Sequence, residues 1–418
     1  MASYKIGVVG AGIIGATTAF VLQKAGHQVT VFDPHPAGIG GASFGNAGHI
    51  AASDVLPLSG PGIIFKGLRM WFDEKGGLHL DPLFGMQNAR WFWKFLRTAH
   101  RDNFARAHAA LSDLGRSCLD HTEALYKQAK LDHLLSNKGV LFIYDSAKSQ
   151  QKSNESWELK AKAGFDSEMI STKQLHHDVP GLNSSIGHST YCPSWQMVID
   201  PHRATSGFVD AALALGATVS QESVSHVDYG ERYVAVNTVD GYSQFEYLVV
   251  CAGVETRSFA SKLGDYAPVI PERGYNLTFP YAEIDPSMSL VFADRGIVAT
   301  HVKGGLRIGG WAEYAPAYAP PRDKYFTMLA EISSMLFPKL NRAGAKPWMG
   351  ARPSTPDSVP IISPSLHSTR ILYNCGHGHY GLTHAAGSAL RVLDLVAPEE
   401  KFDHRHFSLK RFVPNWPH

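Results

Sequence analysis

The run Tyr4-Lys5-Ile6-Gly7-Val8-Val9-Gly10-Ala11-Gly12-Ile13-Ile14-Gly15 decides how the rest of this chain is read. Tyr4 to Val9 is a short, mostly apolar run that stops at glycines, as a buried strand does. Ile13 to Ala25, rich in Ala, Val and Leu and closed by Gly26, reads as a helix. Gln28 to Phe32 reads as a second strand ending at Asp33. Together they have the length of a parallel strand–helix–strand crossover. In the turn, Gly10 permits the sharp bend and Gly12 lets a pyrophosphate approach the backbone. Ile13 and Ile14 open a helix whose free amides face that phosphate, and Gly15 lets helix and strand pack closely. Asp33 is placed to accept hydrogen bonds from ribose hydroxyls. A ligand-free turn is the alternative. The strand before, the helix after and the acidic residue beyond all favour a dinucleotide, without separating NAD from FAD.

Three further blocks extend the pattern. Gly41-Ala42-Ser43-Phe44-Gly45-Asn46-Ala47-Gly48 offers small residues and exposed amides, fit either to line a long cofactor or to be a flexible loop. Val249-Val250-Cys251-Ala252-Gly253 is a strand running into Ala252 and Gly253. Val224 ends an earlier strand, where it either packs in the core or meets an adenine face. Asn374-Cys375-Gly376-His377-Gly378-His379-Tyr380-Gly381-Leu382-Thr383 enters a helix, whose N-terminal amides stabilise negative charge on a ring brought close by the glycines. His377 and His379 invite a metal, but no third ligand is signalled beside them, so no metal is expected.

Composition bounds the rest. The chain has 418 residues, enough for two to three domains at about 150 residues each. Hydrophobic residues are 44% and charged residues 18%, which argues against disorder. Lys plus Arg number 39 against 37 for Asp plus Glu, a balance that argues against nucleic acid as a partner. Cys118, Cys192, Cys251 and Cys375 form no metal spacing and suit a reducing compartment. No secretory signal fits the N-terminus and no apolar run of membrane-spanning length exists, so a cytoplasmic location is expected. Gly62 to Phe72 (GIIFKGLRMWF) is the one stretch that suggests peripheral membrane contact or a lid, with an exposed helix or loop as the plainer reading.

Helical spacing predicts Trp91 to Leu96, Phe104 to Tyr126, Ser156 to Gly164, Ala204 to Leu215, Tyr325 to Phe337 and Gly381 to Leu395. Strands are expected at Gly139 to Tyr144, Thr218 to Val227, Tyr233 to Val239, Tyr247 to Cys251, within 266–313 and at Ile371 to Asn374. No repeat or linker divides the chain. Alternating α/β segments are separated by helical and strand-rich insertions, which implies two interleaved domains.

The blocks quoted above resemble the D-amino acid oxidase-like family of FAD amine oxidoreductases. Asp200-Pro201 before a helix, Glu272-Arg273-Gly274-Tyr275, and Gly350-Ala351-Arg352-Pro353 with Thr355-Pro356-Asp357 occur with them in family order. Bacterial D-amino acid and D-hydroxyproline dehydrogenases are the most similar members. The resemblance implies an α/β flavoprotein: a Rossmann-like FAD domain interleaved with an α+β substrate domain on a large mixed sheet. The expected FAD domain is 1–55, 197–265 and 346–418, and the expected substrate domain is 56–196 and 266–345. It implies that Arg352 holds the substrate carboxylate, which a planar guanidinium does in a bidentate fork. Tyr275, with Arg273 beside it, is implied near the substrate, as a hydrogen-bond partner or as a buried aromatic. His49 is either near the flavin or an ordinary loop histidine, and Trp311 and Glu313 are expected at the pocket border. Flavin-linked sarcosine oxidases carry a cysteine near the Arg352 position. This chain has none there, so FAD is expected to be noncovalent. Many D-amino acid dehydrogenases have a smaller residue at the His379 position.

The implied chemistry is hydride transfer from the α-carbon of a D-amino or imino acid, giving an imine that hydrolyses to a keto acid or stays cyclic. Three readings stay open at this point. They are a dehydrogenase passing electrons to a quinone or partner subunit, an oxygen-using oxidase of glycine, sarcosine or another N-substituted amino acid (an opine-type oxidase subunit included), and a non-catalytic flavoprotein subunit. Oligomeric state is open as well.

Overall fold

The computed structural model describes residues 3–60, 77–399 and 402–413; Gly62 to Phe72 therefore lies outside the described residues. Strand β1 (Lys5–Val9) runs into helix α1 (Ile13–Lys24), and β2 (Gln28–Phe32) returns parallel to β1 with Lys5 opposite Gln28 and Val9 opposite Phe32. The six-stranded sheet has the order Thr218–Ser220, β2, β1, Tyr247–Val250, Ile371–Cys375, Ile361–Pro364. The first five are parallel and the last is antiparallel. Parallel sheets are covered on both faces, which is why these strands read as continuous apolar runs. Helix α1 is buried from Gly15 through Leu22 and shows no polar face. It packs against the helix Pro201–Ala214 and the helix Gly381–Val396, in a core that includes Phe20, Phe208 and Ala389.

The second sheet has nine strands and is mostly antiparallel. Its centre is β3 (Ile270–Phe279), β4 (Ile297–Val302), β5 (Gly305–Tyr314) and β6 (Lys346–Ser354). The order is β6, β3, β5, β4, Ser289–Phe292, Val140–Tyr144, His188–Cys192, Glu168–Ile170, with Leu78–Leu80 also paired to β5. The pairing of β3 with β5 slips between Arg273 and Tyr275, a bulge that re-aims the side chains there. The helix Asp323–Leu336 covers this sheet through Tyr325, Leu329 and Leu336.

Four expectations need correction. β6 was expected with the cofactor domain. It pairs along its length with β3, from Ile270 opposite Ser354 to Thr278 opposite Lys346, and so belongs to the large sheet. Residues 101–128 were expected with the substrate domain, but Leu111, Leu114, Cys118 and Leu125 share the core of α1 and Phe208. The helical run from Phe104 to Tyr126 is two helices, Arg101–Arg116 and Cys118–Gln128, broken at Ser117. Just before the break, a side chain on Gly115 would strike the Ala52 carbonyl at 2.6 Å, so the chain passes another backbone closely there. Thr218 to Val227 is not one strand: Thr218–Ser220 joins the six-stranded sheet and His226–Tyr229 starts a separate three-stranded one. Among the described residues no helix is long and apolar enough to cross a membrane.

Candidate functional site

The two sheets meet at a cavity of about 820 Å³. That is within the ~300–1,000 Å³ range of small-molecule and cofactor sites. At one end is the turn after β1. Gly10 has φ +104°, and a Cβ there would meet the Cys251 carbonyl oxygen at 2.5 Å. A Cβ on Gly15 would lie 1.8 Å from the Gly10 carbonyl oxygen, so only glycine lets α1 sit this close to β1. Asp33 is tied down on both oxygens: Oδ2 accepts from Ala11 N at 2.7 Å and Oδ1 from His35 N at 2.8 Å. Each oxygen keeps a second lone pair. Ser43 Oγ accepts from Ile13 N at 3.0 Å, which joins the second glycine block to the start of α1.

That block is pinned between the sheets by three residues the sequence did not single out. The carbonyls of Gly45 and Ala47 accept from Asn276 Nδ2 at 2.9 Å and Thr300 Oγ1 at 2.8 Å, and the Asn46 carbonyl accepts from Arg307. Gly48 has φ +82° and approaches the Val198 carbonyl closely, while Asn46 Oδ1 accepts from Gly48 N. Trp348 lies against Gly45 and Gly350, where Cβ atoms would fall 2.2 and 2.1 Å from its ring.

Beside the turn after β1 in the cavity wall is the turn into helix α2 (Gly381–Val396), whose first residue lies against Ile13. His377 is buried with both ring nitrogens unpartnered among the described residues, and burial holds its pKa well below the ordinary histidine value. His49 packs against Trp195 with ring centroids 5.3 Å apart and the planes tilted by 58°, its Nε2 has no partner among the described residues, and burial lowers its pKa to about 4. Both imidazoles are therefore neutral at pH 7. Thr383 Oγ1 accepts from Ala51 N at 3.0 Å and fixes the start of α2 against the segment after His49.

Arg352, on β6, lies flat against Gly274 of β3, where a Cβ would be 2.2 Å from the guanidinium. Its Nη1 donates to the Trp311 carbonyl at 2.9 Å and to Glu272 Oε1 at 3.4 Å. Among the described residues its Nε and Nη2 have no recorded partner. Trp311 holds φ +70°, a conformation that a bulky residue rarely adopts, and this strained position presents the carbonyl that receives Arg352. Glu272 is fully buried and also accepts from Ser354 Oγ at 2.8 Å and from His379 Nε2. Burial works against its charge, but His379 and Arg352 outweigh it and hold the carboxyl at about 2.

The structure brings Gly10, Gly12, Ile13, Ile14, Asp33, Ala42, Ser43, Gly45, Asn46, Ala47 and His49 to one cavity. Val224, Ala252, Gly253, Trp311, Arg352 and the run from Gly376 to Thr383 line it too. Gly15 and Gly48 shape the backbone behind the wall. Glu313 lies elsewhere, whereas Tyr275 lines the cavity with its hydroxyl turned to other partners. The Tyr275 hydroxyl donates to Glu313 and accepts from Arg273 Nη2 at 3.0 Å and Arg322 N at 3.3 Å. Burial and Glu313 push it up to about 12, so it is committed to a buried cluster and is not offered to a ligand. Glu313 does not border the pocket: it is fully buried between Arg273 at 3.2 Å and Arg322 at 2.7 Å. A carboxylate does approach His379, namely Glu272, yet among the described residues no three His, Cys, Asp or Glu side chains gather as a metal site. The available signal for Glu272 was two adjacent charges, Glu272 and Arg273, inside an apolar strand, since buried charges are paired.

The family model for FAD dependent oxidoreductases, designated DAO, matches residues 5–395. A D-amino-acid oxidase of Bradyrhizobium diazoefficiens is 28% identical over 402 residues, covering 94% of this chain and 95% of the relative. A D-amino acid dehydrogenase of Vibrio cholerae is 28% identical over 411 residues, covering 94% and 95%. Among solved structures, glycine oxidase from Geobacillus kaustophilus superposes with TM-score 0.75 at 19% identity, covering 99% of this chain and 100% of that one. L-proline dehydrogenase from P. horikoshii superposes with TM-score 0.72 at 19% identity, covering 98% of each.

Proposed function

The chain belongs to the family of FAD dependent oxidoreductases, and on that premise we propose that it oxidises the carbon–nitrogen bond of a D-amino or imino acid of the D-alanine, D-proline or hydroxyproline class. The observation that carries this reading is Arg352: one nitrogen is anchored to Trp311 and Glu272, and the residue lines the cavity with its remaining donors uncommitted. A guanidinium so held takes a carboxylate without reorganising. The names of the relatives from Bradyrhizobium and Vibrio support the D-amino acid class.

The residues present fit FAD. The cradle at Gly10 and Gly15 has no room for side chains, the cavity reaches from there to α2, and the N-termini of α1 and α2 both line it. In this reading Gly10, Gly12, Ile13 and Ile14 hold the pyrophosphate, Asp33 the ribose and Val224 the adenine. Residues Ala42 to Ala47, Ala252, Gly253 and Gly376 to Thr383 border the ring system, which is bound noncovalently. When bound, FAD supplies the hydride acceptor. The chain does the rest. Arg352 fixes the carboxylate and hence the α-carbon, and Trp311, Trp348 and Tyr380 exclude water. The start of α2 stabilises the negative charge that accumulates opposite it.

The test is an absorbance spectrum of the purified holoenzyme, followed by D-alanine, D-proline, cis-4-hydroxy-D-proline, glycine and sarcosine, each added without oxygen. Bleaching of the flavin band by D-isomers and not by L-isomers is the expected result. Bleaching by glycine or sarcosine alone would transfer the reading to an N-substituted or achiral substrate. Silence with every amine would sink it. The rate at which colour returns in air sorts oxygen from a quinone or partner protein as acceptor.

A further inference from the structure

Behind the cavity wall stands a carboxylate that the hydride step does not use. Glu272 Oε1 receives both Arg352 Nη1, at 3.4 Å, and His379 Nε2. Its Oε2 receives Ser354 Oγ at 2.8 Å and Tyr314 OH at 3.4 Å. His379 lines the cavity in the turn before α2, and its side chain is 31% exposed. With Nε2 committed to Glu272, the nitrogen left is Nδ1, which has no recorded partner among the described residues. The other titratable groups around it are Arg352 and Tyr314 through Glu272, Tyr380 with its ring 6.2 Å away, and His377 in the same turn.

An α-amino acid in neutral water carries its nitrogen as ammonium, which has no lone pair to drive loss of a hydride. The proton must leave before oxidation. We propose that His379, backed by Glu272, is the catalytic acceptor of that proton. The inference rests on the Arg352 reading above. In the step, one N–H bond of the ammonium breaks and its electron pair stays on nitrogen. The proton bonds to His379 Nδ1, while the hydrogen on Nε2 remains shared with Glu272. The imidazolium so formed is stabilised by the carboxylate behind it.

Geometry and charge both support this assignment. Arg352 and His379 converge on one oxygen and both line the cavity, so a ligand whose carboxylate Arg352 holds has its amine on the side of the wall that carries His379, within reach of the same carboxylate-backed pair. Arg352 and Glu272 cancel. The substrate carboxylate then brings one negative charge and the imidazolium one positive charge, leaving the closed pocket neutral in a medium where net charge is costly. The other buried bases fail on the same grounds. Among the described residues neither His49 nor His377 hydrogen-bonds a carboxylate, and burial holds both below the ordinary histidine value, for His49 against the opposing pull of Asp54. The Tyr275 hydroxyl is committed to Glu313.

The test compares holoenzyme of the wild type and His379→Gln from about pH 6 to about pH 10, a span that crosses histidine and amine titrations. The readout is the rate of flavin bleaching by D-alanine or D-proline without oxygen. Near pH 7 the variant should be slower by about 10²- to 10³-fold, the usual effect of losing a general base. The defect should close by roughly tenfold per pH unit as the free amine supplies its own lone pair. A purely positional role would leave a defect that does not vary with pH. That result, or no defect at all, would overturn the proposal. If His379→Gln does not retain flavin, His379→Asn is read in the same way. Bleaching of the wild type by none of D-alanine, D-proline, glycine and sarcosine is a different failure: it removes the substrate reading and this inference with it.

Discussion

Two buried glutamates on neighbouring strands show how one ion-pair chemistry serves two purposes. Glu272 on β3 and Glu313 on β5 are both fully buried and both held by arginine. Around Glu313, Arg273 directs Nε to the carboxylate and Nη2 to Tyr275 OH at 3.0 Å and the Pro320 carbonyl at 2.8 Å. Arg322 closes the other side. That cluster is internal and self-sufficient. Around Glu272, Arg352 commits one nitrogen and turns a cavity wall with the rest, and His379 does the same. Glu272 and Arg273 are sequence neighbours, and strand alternation sends them to opposite faces. A buried ion pair is thus no sign of a site in itself. Donors left over beside a cavity are.

The comparison can be broken from either side. Arg273→Met should give the largest effect and should act on stability. Breaking a buried pair costs about 3–5 kcal/mol when nothing replaces the lost partner. Arg322 and Tyr275 still hold Glu313, so the cost should fall at or below the lower end, while Tyr275 and the Pro320 carbonyl lose the donor they share. The loss is read as a fall in the denaturant midpoint. The turnover of the folded fraction should change far less. Should activity collapse with the midpoint unchanged, the Glu313 cluster would belong to the site after all. Arg352→Met should do the reverse. Loss of the carboxylate clamp should lower kcat/KM by about 10²- to 10³-fold, while bound FAD keeps its spectrum. Its effect on folding should be smaller, because Glu272 retains His379, Ser354 and Tyr314. Loss of FAD, or unchanged kinetics, would contradict the assignment.

Acid sharpens the same contrast. The Glu272 carboxyl is depressed from 4.5 to about 2. A carboxyl depressed in the folded state adds stability that is fully present above its unfolded value. That stability is lost as pH falls through 4.5 toward about 2. The Tm advantage of wild type over Glu272→Gln should therefore be flat above about pH 5.5 and shrink below it. An advantage independent of pH down to about 2 would mean that the pair acts by packing alone.

What the sequence made legible was local. The turn from Gly10 to Gly15 announces itself because strand, bend, helix and acidic residue lie within one short window. The entry to α2 and the block around Gly45 were legible for the same reason. The division between Glu272 and Glu313 was not, since it depends on β3 pairing with β6 on one side and β5 on the other. Arg352 was placed by resemblance, yet its strand was not foreseen and its segment was grouped with the cofactor domain, because β6 carries Trp348, Gly350 and two prolines and lacks a strand's alternation. Tyr275 sits in the right segment and lines the cavity, but its hydroxyl is bound to Glu313, a partner 38 positions away that local sequence does not signal. Trp348 left no signal: an aromatic that fills the space over two glycines reads in sequence like any other tryptophan.

The smallest effect concerns how the loop around Gly45 is held. The donors to the Gly45, Asn46 and Ala47 carbonyls are Asn276, Arg307 and Thr300, which are 231, 261 and 253 positions away in the chain. All three come from the large sheet, so the loop's shape depends on a part of the molecule that contributes nothing to the Gly10 turn. Thr300→Val keeps the volume and the strand preference and removes one hydroxyl. The Ala47 carbonyl then loses its donor, at about 1 kcal/mol for a neutral hydrogen bond. Asn276 and Arg307 still hold the two residues before it, so the loop should loosen without leaving its place. FAD affinity measured by equilibrium dialysis should fall about fivefold, with kcat at saturating FAD unchanged. If affinity does not move, the cavity's two walls are organised independently, and the large sheet serves the substrate side alone.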